Sequence, residues 1–168
     1  MRRLLVPIDD RPVSDETLRV IADAARSAAY TIRLLYVPSM GPDADGGRTV
    51  RHQGEEKRRL QAEGLLYLDT LAASLGDVPI ERMVRFGDVN MAILDEAAAW
   101  AADVVALSAG DRMWLSRAVR TGAAVEAFGT TGIPAILYTP RGRVKKVSRR
   151  TRSKIRRVRV WRPNGSWR

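Results

Sequence analysis

Cysteine is absent from the 168-residue sequence, and histidine occurs once, as His52. Without cysteine the chain forms no disulfide, no thiolate nucleophile and no cysteine-ligated zinc site, and it suits a reducing compartment. A single histidine lacks the partners of a histidine-based metal centre, and any Ser-His-Asp triad would have to use it. We therefore predict that the chain has neither a metal site nor catalytic residues, and that His52 is a solvated residue.

Long hydrophobic runs are also missing. No stretch approaches the roughly 18 apolar residues of a membrane span. Arg2 and Arg3 are followed by only five apolar residues before Asp9, too few for the core of a signal peptide. The sequence thus predicts a cytoplasmic protein without a transmembrane segment. Its 45% hydrophobic and 29% charged residues exclude collagen-like, disulfide-scaffold and wholly disordered chains.

Charge is distributed unevenly along the chain. The net charge is +10, yet residues 141–168 hold 13 Lys and Arg and no acidic residue, which leaves 16 basic against 19 acidic residues in positions 1–140. Low hydrophobicity with high charge favours disorder. We therefore predict two parts, an α/β domain at 1–140 and a basic, disordered tail at 141–168.

Five β-rich runs alternate with four helical patterns in residues 1–140. The runs lie at 3–8, 31–37, 80–86, 104–107 and 133–138, and the helical patterns at 14–28, 55–75, 91–102 and 116–128, with a long loop at 38–54. Such alternation demands right-handed crossovers and a parallel sheet that helices cover on both sides. The prediction is a three-layer, doubly wound α/β fold with five parallel strands and helices on both faces.

Some residues in these elements have simple structural interpretations. Ser14 is a predicted N-cap of the first helix and Asp88 of the third. Trp100 is expected to pack its helix against the sheet. Asp95 and Glu96 are adjacent on that helix, about 100° apart, and we expect both in solvent.

In open α/β sheets, ligands bind beyond the carboxyl ends of the strands, where the strand order reverses. Asp9 follows the first strand, Val37 ends the second and Ser108 follows the fourth. A carboxylate at a strand end can accept hydrogen bonds from a ribose hydroxyl or a base amino group. A turn residue at the entry of a helix explains Asp9 equally well from composition alone.

Several short motifs occur together in a recognisable order. They are Val6-Pro7-Ile8-Asp9, Arg85-Phe86-Gly87-Asp88, Ala102-Asp103-Val104-Val105, Gly122 followed by Glu126, and Ile133-Pro134-Ala135-Ile136-Leu137. In this order and at these distances the sequence resembles the universal stress protein domain over residues 2–139. The resemblance implies the strand order 3-2-1-4-5, a homodimer through the last strand, and slow nucleotide hydrolysis at most.

The resemblance also implies an adenine-nucleotide site. Its contacts would fall on Pro7, Asp9, Val37, Leu107, Ser108, Gly122, Ala123 and Ala124. Asp9 would contact the ribose or the base, and the others would shape a slot lined by backbone. The implied ligands are ATP or AMP, with Mg²⁺ only where ATP binds.

The phosphate loop departs from the family pattern of Gly, two residues, Gly, nine residues, then Gly-Ser or Gly-Thr. Ser108 and Asp111 replace the two glycines, ten residues then precede Gly122, and Ala123 replaces the hydroxyl residue. If Gly110 is taken as the second glycine instead, eleven residues precede Gly122, so neither register restores the pattern. A carboxylate near phosphates adds repulsion unless a cation neutralises it. Arg112, Arg117 and Arg120 could do so, or form a solvated helix face.

The first hypothesis is therefore a universal-stress-type regulatory or binding module with weak or lost adenine-nucleotide binding and no efficient catalysis. One alternative is a slow ATPase or nucleotide-handling enzyme that uses the same cleft with a divalent cation. Another is a protein that binds nucleic acid or an anionic surface through its tail, with Trp161 and Trp167 available for stacking. A solubilising extension, or a terminus foreign to the family, would equally explain the tail. The candidate polyanion-binding residues are Arg149, Arg150, Arg152, Lys154, Arg156, Arg157 and Arg159.

Overall fold

The structure, a computed structural model, describes residues 2–8, 12–39, 50–108, 133–138, 144–147 and 159–161. The elements in these residues are β1 (Arg2–Ile8), α1 (Asp15–Ala28), β2 (Tyr30–Tyr36), α2 (Val50–Leu75), β3 (Ile80–Val84), α3 (Val89–Ala99), β4 (Val104–Ser108), β5 (Ala135–Tyr138), β6 (Val144–Val147) and β7 (Arg159–Trp161). The helix predicted at 116–128 lies outside the described residues.

The strands form one sheet in the order β3-β2-β1-β4-β5-β6-β7. Strands β1 to β5 pair in parallel, whereas β6 pairs with β5 and β7 with β6 in antiparallel fashion. The predicted α/β class with a parallel sheet is confirmed, and the order 3-2-1-4 is the predicted one. The sheet has seven strands instead of the predicted five, because two antiparallel strands from residues 141–168 join the parallel ones.

Strands β6 and β7 also correct the expectation of disorder for the stretches that form them. Only a few residues separate β5 from β6, so antiparallel pairing is local and satisfies the outer edge of β5. Valines at both ends of β6 suit a strand, although the high charge of the segment favoured disorder. The domain boundary at residue 140 stays a prediction.

Helices α1 and α3 begin at the predicted caps. The Ser14 hydroxyl accepts a hydrogen bond from the Thr17 amide at 3.3 Å, and the Asp88 carboxylate accepts one from the Met91 amide at 2.9 Å. Each satisfies an amide that has no partner within its helix. Helix α1 ends at Ala28, and Ala29 caps it in the left-handed conformation with φ 52°.

Helix α2 starts earlier than predicted. Residues 50–54, which the sequence placed in a loop, are helical, and this includes His52. Exposed ion pairs from Arg59 to Glu56 and Glu63 lie at helical spacing and favour the helix over a loop. A single glycine at position 54 costs too little helix propensity to prevent this extension.

Two hydrophobic clusters place helices on both faces of the sheet. Helices α1 and α2 cover one face, where they bury Leu4, Val6, Ile8, Ile32 and Leu34. Helix α3 covers the other face, where it packs with Leu5, Leu35, Val105, Leu107 and Ala135. The alternation of these residues along β1 and β2 is that of strands buried on both faces.

Candidate functional site

Three strand ends meet at one edge of the sheet. Strands β1 and β4 are parallel neighbours with Leu5 paired to Val105, so Ile8 and Ser108, each three residues further on, end level with each other. On its other side, β1 pairs Ile8 with Tyr36, the last residue of β2. The last residues of these three strands therefore lie side by side.

The same edge is where the strand order reverses. The chain runs from β1 outward to β2 and β3, and then crosses to β4 on the opposite side of β1. Connections that diverge on the two sides of a strand pair leave a crevice between them, and ligands of open α/β sheets bind there. The gap between the ends of β1 and β4 is therefore the candidate site.

Three of the predicted nucleotide contacts lie on the α3 side of this edge. Val37 and Leu107 are 6% and 0% exposed and belong to the cluster that α3 covers. Pro7 is also buried, and it follows Leu5 by two residues, which places it on the same face. Their buried side chains can form an apolar wall, and the polar groups they can offer are those of the backbone.

Ser108 is the last residue of β4 and lies beside β1 in the sheet. Asp9 follows β1 directly in the chain, but Asp9, Gly122, Ala123 and Ala124 lie outside the described residues. Gly110 and Asp111 of the phosphate loop lie outside them too. Of the predicted polyanion-binding residues, the described part of the chain includes only Arg159, in β7.

Glu96 was misjudged from the sequence. We expected it in solvent, yet it is 0% exposed, whereas its neighbour Asp95 is exposed. The angle of 100° between them turns one carboxylate outward and the other toward the sheet. Arg85 donates from Nε to Oε2 of Glu96 at 2.7 Å, and Arg33 donates to Oε1. Two guanidinium groups thus neutralise a buried carboxylate.

Arg33 lies at the centre of this cluster. Its Nε donates to Glu81 on β3 at 3.0 Å, and its guanidinium lies 4.3 Å from the ring centroid of Trp100. Trp100 is buried between α3 and the sheet, as predicted. The cluster of Arg33, Glu81, Arg85, Glu96 and Trp100 therefore ties α3 to β2 and β3.

Each charged group of this cluster has a partner of opposite sign, so its charges are engaged in holding α3 on the sheet. Because α3 begins soon after β3 ends, its first turn lies at the same edge of the sheet as the candidate crevice. A signal for the cluster was present in the sequence. Arg33 interrupts the apolar run of β2, and a buried arginine requires carboxylate partners.

Metal ligands and membrane spans were searched for in the described residues. They contain no group of three or more His, Cys, Asp or Glu side chains that could hold a metal ion. None of the helices in this part of the chain combines the length and apolar character needed to cross a bilayer.

A model of the universal stress protein family matches residues 1–126, three quarters of the chain. The chain belongs to the universal stress protein family. A search of curated proteins found no match.

Solved universal stress proteins resemble the chain in fold at low sequence identity. One, in complex with cAMP, is 13% identical with a TM-score of 0.50, and the match covers 83% of this chain and 97% of that one. One from Archaeoglobus fulgidus, in complex with dAMP, is 16% identical with a TM-score of 0.49, over 82% and 97% of the two chains. One from Arabidopsis thaliana, with AMP bound, is 17% identical with a TM-score of 0.49, over 83% and 92%.

Proposed function

We propose that this universal stress protein is a binding module that takes the adenosine part of a nucleotide weakly, in the crevice at the ends of β1 and β4, without efficient catalysis. The observation that carries the proposal is the pairing of β1 with β4 at the point where the strand order reverses. The family member of the same fold that was solved with cAMP supports an adenine nucleotide as the ligand.

The proposed contacts divide by chemistry. Asp9, which follows β1, accepts hydrogen bonds from the ribose hydroxyls or the base amino group. The buried positions Pro7, Val37 and Leu107 contribute an apolar wall and backbone groups, which suit a flat base. Ser108, Gly122, Ala123 and Ala124 complete the slot with main-chain groups.

The proposed binding is weak because the phosphate loop is altered. Asp111 takes a glycine position of the family pattern and brings a negative charge toward the phosphates, while Ala123 removes a hydroxyl. The additional phosphates of ATP therefore contribute little binding free energy, and we expect AMP and ATP to bind with similar affinity. Mg²⁺ would accompany ATP alone. A slow ATPase requires the cradle that these residues disrupt, so we favour a regulatory or binding role.

The remaining parts of the proposal concern cellular location and oligomeric state. A chain without cysteine suits the reducing cytoplasm. The homodimer implied by the family would form through the last parallel strand, β5. Because β6 pairs with that edge of β5, this dimer and the pairing of β6 with β5 exclude each other, and the chain with β6 in place should not associate through β5.

Calorimetric titration of the full chain with AMP and ATP tests the nucleotide proposal. High salt suppresses attraction between the phosphates and the basic tail. We expect Asp9→Ala to weaken AMP binding about tenfold, the loss typical of a hydrogen bond to a charged group. Asp95→Ala, an equal change at an exposed position on α3, should leave the affinity unchanged.

Two results would contradict the proposal. One is an affinity for both nucleotides weaker than millimolar that Asp9→Ala does not change. The other is equal weakening by Asp9→Ala and Asp95→Ala, which would mean that overall charge and not a local contact governs binding.

A further inference from the structure

The basic C-terminal segment is joined to the sheet by regular pairing. Strand β6 pairs with β5 over four residue pairs, from Ala135 with Val147 to Tyr138 with Val144. Strand β7 then pairs with β6 over three, from Lys146 with Arg159 to Val144 with Trp161. We call β6 and β7 together the basic strand pair. Its backbone is held at the end of the sheet opposite β3.

The register of this pair places basic residues at directly paired positions. Lys146 is the direct partner of Arg159, and Lys145 is paired with Val160 beside them. Like charges directly opposite each other destabilise an antiparallel pair. Residues 141–168 contain 13 basic residues and no acidic one, so the segment supplies no counter-charge of its own. A partner that carries closely spaced negative charges would remove this repulsion.

We propose that the basic strand pair binds the phosphate backbone of nucleic acid without reading its sequence. A nucleic acid strand carries one phosphate at each nucleotide, and basic residues that contact them displace bound counterions. Trp161, at the end of β7, adds an aromatic residue of the kind on which bases stack. Charge and aromatic residue thus occur on the same short stretch of backbone.

The strand geometry favours nucleic acid over a membrane surface. Proteins that lie on anionic membranes commonly do so through an amphipathic helix with a wide apolar face. The described parts of the segment are instead two short strands, VKKV and RVW, with too few apolar residues for such a face. A basic strand platform with an aromatic residue matches the surfaces that bind nucleic acid strands.

The proposed surface is separate from the nucleotide crevice. Strands β5 and β6 lie between β4 and β7 in the sheet, so β7 is three strands removed from the strand that borders the crevice. The two sites are therefore independent, and a variant at one should leave the other unaffected.

Fluorescence anisotropy of the full chain with labelled single-stranded and duplex oligonucleotides tests the proposal. We expect binding that ignores base sequence and weakens steeply as salt rises. Lys146→Gln with Arg159→Gln, two directly paired positions on one face of the strand pair, should reduce the slope of log K against log salt by about 2 on duplex, since each lost phosphate contact removes about 0.9. The matched control is Lys57→Gln with Arg58→Gln, which removes two charges from exposed positions on α2.

Three outcomes would overturn the proposal. The first is no oligonucleotide binding at low salt. The second is an equal reduction of slope by the two double variants, which would assign binding to net charge and not to the strand pair. The third is binding to phosphatidylserine vesicles in the absence of binding to either oligonucleotide, which would identify a membrane as the partner. Nucleotide affinity in the crevice, measured separately, distinguishes any of these from failure of the proposed nucleotide function.

Discussion

Replacing Glu96 with glutamine removes the charge at the centre of the cluster that fastens α3 to the sheet. The carboxylate is fully buried and receives hydrogen bonds from Arg33 and Arg85. The amide of glutamine has nearly the same shape, so the packing of α3 is retained. The substitution removes the negative charge that neutralises the guanidinium groups of Arg33 and Arg85. Of these, Arg33 is the less exposed and cannot reach water readily.

The expected loss of stability follows from the exposure of the two arginines. Removal of one partner from a buried ion pair costs about 3–5 kcal/mol when the remaining charge stays buried and unpaired. Arg33 is 16% exposed but keeps Glu81 and the ring of Trp100, and Arg85 is 42% exposed and can turn into solvent. Both facts lower the cost, and we expect Glu96→Gln to lose about 2 kcal/mol of unfolding free energy.

Urea unfolding measures this loss. With an m-value of about 2 kcal/mol/M, the midpoint should fall by about 1 M while m stays constant. The matched control is Glu63→Gln on α2, which removes an ion pair to Arg59 in which both side chains are more than half exposed. Such pairs add little, and the control midpoint should not move measurably. Equal midpoints for the two variants, or for Glu96→Gln and the unaltered chain, would refute the argument from burial.

Four further perturbations have definite expected results. Gly64→Ala places a Cβ 2.7 Å from a ring carbon of Tyr36, so overpacking should exceed the helix-propensity gain and cost about 1–2 kcal/mol in urea unfolding. Gly54→Ala, on the same helix with no atom within 4 Å, should instead stabilise by about 0.5–1 kcal/mol, and the same sign for both would contradict this. Asp88→Ala removes the α3 N-cap and should cost about 1 kcal/mol in the same assay. Truncation after Pro140 removes β6 and exposes the edge of β5. Analytical ultracentrifugation should therefore detect a larger fraction of dimers or higher oligomers than for the full chain. A truncated chain that associates no more than the full chain would contradict this.

Features that depend on neighbouring residues could be predicted from the sequence. Ser14 and Asp88 cap their helices as expected, because a cap needs only a short polar side chain and the amides that follow it. The alternation of apolar runs with helical patterns predicts the α/β class, whereas the inner strand order was implied by the resemblance to the universal stress protein domain. The edge formed by Ile8 and Ser108 follows from that order and the level ends of β1 and β4.

Features that depend on distant residues could not be predicted in the same way. The burial of Glu96 requires Arg33, which is 63 positions away in the chain, and helix periodicity alone does not reveal such a partner. The pairing of β6 with β5 depends on a free strand edge, which local composition does not show. The high charge of the segment pointed to disorder because composition counts charges without regard to backbone partners.

The central claim is that adenine nucleotide binds where β1 and β4 end together. Amide chemical shifts of the ¹⁵N-labelled full chain during titration with AMP at high salt test it most directly. The account predicts shifts concentrated in Ile8, Asp9, Val37 and Ser108, which in Asp9→Ala require about tenfold more AMP to reach the same size. Shifts confined to residues 141–168, or no shifts at saturating AMP, would contradict it.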